Sequence, residues 1–413
     1  MDYVYFYDIV QLNEYVIYNN ISHVIIKFGN LTSDDIVNNI NIFKKIQKLD
    51  CSRTQVTDIP ISLVNLQYLD CSRTDITEIP KELANLQYLN CIDTKITEIP
   101  KEFIKLQYLD CSRTQITEIP KELINLRSLI CSYTEKITEI PKEFVNLQTL
   151  CCTCSKITEI PKSFVNLHSL DCSQTKITEI PKELINIIEL HLYNTLIIKV
   201  PKELVNLIIL NCSQTQITDI PISFVNLQHL DCSMSLINEI PKELINLMTL
   251  KCYDYKITEI PKEFINLQYL DCSRTQITEI PKELINLRTL ICSETPITKI
   301  PKELINLQYL FCYDTKITEI PKELINLTNI YCSRTLLKDI PKELSKLHLL
   351  CCYGTKIKQI PVTLDLLTFI NSDFITLSEH EANVKKYKNE IKDIIKTGNI
   401  LNDDVNNLLC TYI

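Results

Sequence analysis

Cysteine returns every 20 residues along most of this chain, and that period limits what the chain can fold into. It stands at 51, 71, 91, 111 and 131, then at 152, 172, 212, 232, 252, 272, 292, 312, 332 and 352, with Leu192 in the missing place. One extra residue within positions 132–137 accounts for the step from 131 to 152. Fifteen of the 19 cysteines therefore mark one column of a repeat. A fixed period of this kind is the signature of a stacked solenoid, in which each unit buries its apolar face against its neighbours. It replaces the two or three globular domains that a length of 413 residues would otherwise suggest. The cysteine total is odd, and the opening MDYVYFYDIVQLNEY lacks a basic region ahead of an apolar core. Both favour reduced thiols in an intracellular, cytoplasmic protein over a disulfide framework. No apolar run reaches the roughly 18 residues of a membrane span.

Aligned on this column, the unit reads LxxLxCSxTxITEIPKELxN. Residues 66–85 supply Leu66, Leu69, Cys71, Thr74, Ile76, Ile79, Pro80 and Leu83. Apolar and polar residues alternate around Leu69-Asp70-Cys71-Ser72, as in a half-buried strand. Leu69 and Cys71 are expected to point inward, and Tyr68, Asp70 and Ser72 outward. Pro80 suits the first turn of a helix, where its missing N–H costs little. Ile79, Leu83 and Leu86 then have the spacing of one buried helical face. The period leaves room for only a turn or so of helix.

With Cys in the third leucine position and Thr or Ser in the asparagine position, the unit resembles the leucine-rich repeat, LxxLxLxxNxL, over residues 46–371. Its length is similar to the short repeats of bacterial effectors. The near-identity of the copies and a composition with three Gly and no Trp also resemble repeat arrays of giant DNA viruses and amoebae. The resemblance implies an α/β repeat solenoid, a horseshoe with a parallel β-sheet on its concave face and short helical turns on its convex face. It also implies partner proteins bound on the concave face. The family's asparagine bonds backbone groups of the neighbouring rung; here Thr54, Thr74 and Thr94 would do so with one hydroxyl each. Tyr255 interrupts that column. Cysteine in place of leucine is smaller but is among the most buried residue types.

The expected organisation is an N-terminal cap over residues 1–45, the array over 46–375 and a C-terminal helical cap over 376–413. Residues 23–28 (HVIIKF) read as a strand able to open the stack. Leu367 and Ile370 keep the repeat spacing, with Ser372 in the cysteine column, and mark a degenerate last rung. Residues 379–396 and 402–413 read as two helices covering the end.

The repertoire for chemistry is thin. Gly29, Gly354 and Gly398 cannot form a phosphate loop. The six histidines make no spaced ligand pair, and no nucleophile elbow occurs. Asp and Glu recur once per rung and read as a solvated surface. No enzyme activity and no cofactor is expected. Cys151 and Cys154, beside the ladder residue Cys152, are the one candidate for a soft metal or a redox pair, against drift in a Cys-rich repeat. Effectors with similar repeats often carry a ubiquitin-ligase domain after the array. Too little chain follows here for one, and Cys410 has no matching motif.

The copies vary in one half only. TEIPKEL barely changes, whereas the column after Ser72 runs Arg53, Arg73, Asp93, Arg113, Tyr133, Cys154, Gln174, Asn194, Gln214, Met234, Asp254, Arg274, Glu294, Asp314, Arg334, Gly354. Varied side chains on a constant frame suit recognition, although drift at exposed positions would look the same. Ile291, Tyr309, Phe311, Tyr313, Tyr331, Arg334 and Tyr353 form an aromatic stripe expected to be a partner-binding patch. Asp50, Arg53, Asp70, Arg73, Asp110 and Arg113 form a secondary, mixed-charge strip. A net charge of −8 without a basic block gives nucleic acid nothing to hold. The expected function is a monomeric, non-enzymatic scaffold for protein partners, with no role at a membrane. The alternative is an adaptor that delivers captured proteins to a ubiquitin ligase or another signalling enzyme.

Overall fold

Each unit of the repeat contributes one three-residue strand, sixteen in all from Lys48–Asp50 to Leu349–Cys351, numbered here as rungs 1 to 16. The computed structural model describes residues 3–6, 25–28, 31–254, 256–357 and 368–370, the first two segments and the last by their backbone. Tyr255, Ser372 and the helices expected at 379–396 and 402–413 lie outside these residues. The chain forms two compact units, residues 1–237 and 238–413. The first contains strands Tyr3–Phe6 and Ile25–Phe28 and then rungs 1 to 10; the second contains rungs 11 to 16 and strand Thr368–Ile370.

Pairing within each unit is parallel and in register, so Leu49, Leu69 and Leu89 stand opposite one another, as do Leu290 and Leu310. The strand expected at 23–28 is present as Ile25–Phe28, paired to rung 1. Between them, helices Ser33–Asn38 and Ile40–Phe43 bury Ile36 and Phe43, and Thr32 and Asp35 close a capping box on the first helix. At the other end Phe369, not Ile370, stands opposite Leu350. The last unit is thus one residue short of the expected register, and a one-residue shift exchanges the two faces of a strand.

The TEIPKEL half is not helical. In rung 2 the carbonyl of Pro80 accepts from Leu83 N at 3.0 Å, and that of Leu83 accepts from Leu86 N at 3.0 Å. The pattern recurs along the array as two consecutive three-residue turns. The three-residue spacing of Pro80, Leu83 and Leu86 therefore belongs to a chain of turns, since the short return path leaves no length for an i→i−4 ladder. These turns still bury Leu66, Leu69, Cys71, Ile76, Ile79 and Leu83 in one core. Each large aliphatic side chain so buried contributes roughly 1.5–3 kcal/mol. Phe103, Phe144, Phe164, Phe224 and Phe264 take the Leu83 place in their rungs and are equally buried. The extra residue of rung 5 bulges outward: Glu135 and Lys136 are exposed, while Thr134 and Ile137 stay fully buried.

Two hydrogen-bond ladders tie the rungs together, and neither is the one expected. The Thr74 hydroxyl donates to Cys71 O of its own rung at 2.6 Å, closing the turn over residues 71–74; Thr94 and Thr114 do the same. The link between rungs is made by the last residue of the unit. Asn85 Nδ2 donates to Val64 O at 2.9 Å, Asn166 to Val145 O at 2.9 Å and Asn306 to Ile285 O at 2.9 Å. The second ladder is the cysteine column. Asn90 O accepts from Cys71 N at 2.9 Å and from its thiol at 3.5 Å, and Asp110 O likewise takes the Cys91 thiol at 3.4 Å. Burial pushes these thiols well above their ordinary range.

The turn after each strand places its third residue in the left-handed region. Arg53, Arg73, Arg113, Gln174, Arg274 and the rest of that column have φ between 51° and 79°, and only Asp93, Asn194, Asp254, Asp314 and Gly354 are of the types that adopt it readily. The conformation lets the residue's N–H reach the next rung, as Arg73 N does to Ile92 O at 2.8 Å. A non-glycine residue held this way costs about 1 kcal/mol.

Three outcomes follow for urea unfolding. Asn166→Ala should lower stability by about 1 kcal/mol through the lost bond to Val145 O. Gln174→Gly should raise it by up to about 1 kcal/mol by relieving the left-handed strain, whereas Gly354→Ala should lower it, because at φ +67° its new Cβ would meet Arg334 Cγ at 3.2 Å. Alkali should also weaken the fold. Burial pushes Cys312 up to about 12 from its ordinary 9.0. Between those values the folded chain holds a proton that the unfolded chain has released, so stability is full below 9 and is lost as pH rises toward 12. The midpoint should hold to pH 8 and fall above pH 9, less steeply in Cys312→Val.

Candidate partner-binding face

The outward face of the strands is built from four columns, which rung 2 supplies as Tyr68, Asp70, Ser72 and Arg73. Not all of them face solvent. Ser72, Ser112, Ser173 and Ser213 are buried, against expectation, because the chain folds over them into the turn. The acid column explains how. Asp70 Oδ1 accepts from Ser72 N at 3.0 Å and from its hydroxyl at 2.7 Å, and Asp50 holds Ser52 in the same way. Asp110 takes Ser112 N at 3.0 Å, and Asp171 takes Ser173 N at 3.0 Å. The Asp-Cys-Ser run of the repeat is thus an Asx turn. Asp50 and Asp110 are only 8% and 9% exposed, so they are caps and not a solvated surface. Burial shifts the Asp110 carboxyl upward against the bonds that Ser112 donates.

The mixed-charge strip therefore separates into two halves. Its aspartates are drawn into the backbone, while Arg53, Arg73 and Arg113 remain exposed on the left-handed column. Beside them runs a feature that sequence reasoning passed over. Tyr68, Tyr88 and Tyr108 stack with ring centroids 4.2 Å apart and interplanar angles of 10° and 6°. Burial holds all three hydroxyls above the usual phenol range, so they are neutral donors at any physiological pH. The triple LQYL in rungs 2 to 4 was the available signal.

In rungs 13 to 16 the register brings Ile291, Phe311, Tyr331 and Cys351 side by side, as the aromatic stripe requires. It is not, however, an open patch. Phe311 and Tyr331 stack at 4.3 Å and 5°. Ile291, Tyr313 and Tyr331 are each under a tenth exposed, and Tyr309 and Phe311 are half-buried. Strands about 4.8 Å apart put like rings nearly at stacking distance, so each covers its neighbour. Tyr353 stays exposed at 48%, and the exposed Arg334 pairs with Asp314 at 2.5 Å.

Cys151 and Cys154 do not converge. Cys151 Sγ lies 3.2 Å from Ser132 Oγ in the preceding rung, whereas Cys154 Sγ donates to Gln174 Oε1 in the following rung at 2.6 Å. Among the described residues every cysteine is a free thiol, and no group of three His, Cys, Asp or Glu could hold a metal ion. No helix among them is long and apolar enough to cross a membrane.

Comparison with known proteins agrees with this geometry. A leucine-rich repeat region model matches residues 73–151, and a second leucine-rich repeat model matches residues 266–287. No curated protein matches the chain in sequence. Among solved structures, a leucine-rich repeat protein of Leptospira interrogans is 26% identical with a TM-score of 0.73, covering 83% of this chain and 100% of that one. The functional domain of InlJ from Listeria monocytogenes, which includes a cysteine ladder, is 25% identical with a TM-score of 0.59 over 75% of this chain and 67% of that one. The ectodomain of the Arabidopsis thaliana receptor kinase GASSHO1/SCHENGEN3, in complex with Casparian strip integrity factor 2, is 23% identical with a TM-score of 0.62 over 85% of this chain and 53% of that one. By its repeat, its stacked parallel strands and these matches, the chain has the leucine-rich repeat fold.

Proposed function

We propose that this chain is a non-enzymatic, intracellular scaffold that holds partner proteins against the outward face of its strands. The left-handed column carries this reading. Glycine, asparagine or aspartate would adopt that backbone more readily, yet eleven of its sixteen places hold Arg, Glu, Gln, Tyr, Cys or Met. Side chains kept at a cost on an otherwise constant frame point to a use for them. The fold supports protein interaction in general, and one neighbour of the same fold is a receptor ectodomain in complex with Casparian strip integrity factor 2. The reduced cysteine column suits a reducing compartment.

Within this face Tyr309, Phe311, Arg334 and Tyr353 are the proposed contacts in rungs 14 to 16, with Ile291, Tyr313 and Tyr331 as the floor beneath them. Proximity labelling in the native cell, read by mass spectrometry, tests the proposal. Phe311→Ala combined with Arg334→Ala and Tyr353→Ala should remove a defined set of labelled proteins. Lys121→Ala with Glu122→Ala, on the exposed turn side, should leave that set intact. An identical set in all three chains would exclude rungs 14 to 16 as the binding surface.

A further inference from the structure

Arg53 and Arg73 are adjacent members of the left-handed column, at φ 58° and 57°. Both are exposed, and among the described residues neither forms an ion pair. The same column in the second unit neutralises itself: Arg274 meets Glu294 at 3.0 Å, and Arg334 meets Asp314 at 2.5 Å. Rungs 1 and 2 instead set like charge on like charge, which is unfavourable between neighbouring strands. The nearest carboxylates give no relief. Asp50 and Asp70 spend Oδ1 on the serine two residues on, and Asp70 Oδ2 accepts from Asn90 Nδ2 at 3.0 Å. Asp93 follows Arg73 and pairs with neither Arg73 nor Arg113. Arg113 lies with its Cζ 4.4 Å from the Tyr133 ring centroid and stays exposed. On the other side of the acid column, Lys48 begins rung 1, and the neutral hydroxyls of Tyr68, Tyr88 and Tyr108 follow it.

We propose that this end of the strand face binds an extended acidic segment of a protein partner, a run of Asp or Glu side chains lying across Arg53 and Arg73. Two unfavourable features coincide at these residues, backbone strain and neighbouring like charges that form no ion pair, and an anionic segment relieves the second. Guanidinium groups pair carboxylates with two parallel donors, and the tyrosine hydroxyls can donate to the same segment. The aspartates, their Oδ1 atoms committed as caps, form no ion pair with Arg53 or Arg73. The chain as a whole carries a net charge of −8, so general attraction would favour a cationic partner and an acidic one must be held locally. This assignment rests on the strand face being the partner site.

Fluorescence anisotropy with the full chain and labelled oligoglutamate, oligolysine and Gly-Ser peptides tests it. Oligoglutamate should bind tighter than the other two, and the affinity should fall as salt rises. The double variant Arg53→Gly/Arg73→Gly should weaken that binding roughly tenfold while its urea midpoint stays level or rises, because glycine relaxes both positions. The loss then cannot be attributed to unfolding. Oligolysine binding tighter than oligoglutamate, oligoglutamate binding no tighter than Gly-Ser, or unchanged binding by the double variant would each overturn the assignment. If that happens while the variants in rungs 14 to 16 still strip labelled partners, the acidic segment alone is refuted and the scaffold reading stands.

Discussion

In-register pairing of one short parallel strand per rung is the constraint from which the rest of this structure follows. It sets every residue within a strand spacing, about 4.8 Å, of its counterparts one period away. A residue type that stacks well on itself is therefore rewarded repeatedly. The cysteine column exploits this with a side chain small enough to fit and a thiol that reaches the next rung's carbonyl. The asparagine ladder exploits it with an amide that spans to the preceding turn. The tyrosines of rungs 2 to 4 exploit it with flat rings. Three chemically unrelated ladders share one geometric cause.

That cause also governs what the sequence could disclose. Periodicity fixes register, so the strands, the buried columns and the stacking of units were legible from the cysteine spacing alone. Bonding roles were less so. Both Thr74 and Asn85 recur in nearly every unit, and recurrence does not say which bond each makes. Only the fold shows that Thr74 closes its own turn while Asn85 crosses to the preceding rung. The return path is ambiguous for a similar reason, since a spacing of three residues fits a chain of turns as well as a helix. At Thr368–Ile370 the units lose their identity, and there the register inferred from spacing departs from the observed one by a residue.

The candidate site was legible as a set of positions but not as a surface. The aromatic residues of rungs 13 to 16 do come together, yet the stacking that unites them hides much of their area. The variable column was visible as variety and invisible as strain, because φ leaves only a faint trace in composition when most of the column avoids glycine. That avoidance bears on drift as an explanation. Drift alone should admit the relaxed residue types freely at a position where they are favoured. Here glycine takes only Gly354 of sixteen places, and asparagine and aspartate take Asp93, Asn194, Asp254 and Asp314.

Charge, finally, cannot be read from this repeat by counting residues. Asp50, Asp70 and Asp110 alternate with Arg53, Arg73 and Arg113 in the sequence, and by that count the strip is balanced. Hydrogen bonding breaks the balance, since a carboxylate that caps a turn has its lone pairs committed and its surface withdrawn. The arginines three residues on are carried out to solvent by the very turn that the aspartate closes. A single local motif, Asp-Cys-Ser-Arg, thus turns its negative end back onto its own backbone and presents its positive one. Repeating it along neighbouring rungs gives a basic edge to an acidic chain, and replacing Arg by Asp, Gln or Tyr in the last place edits that edge without disturbing the frame.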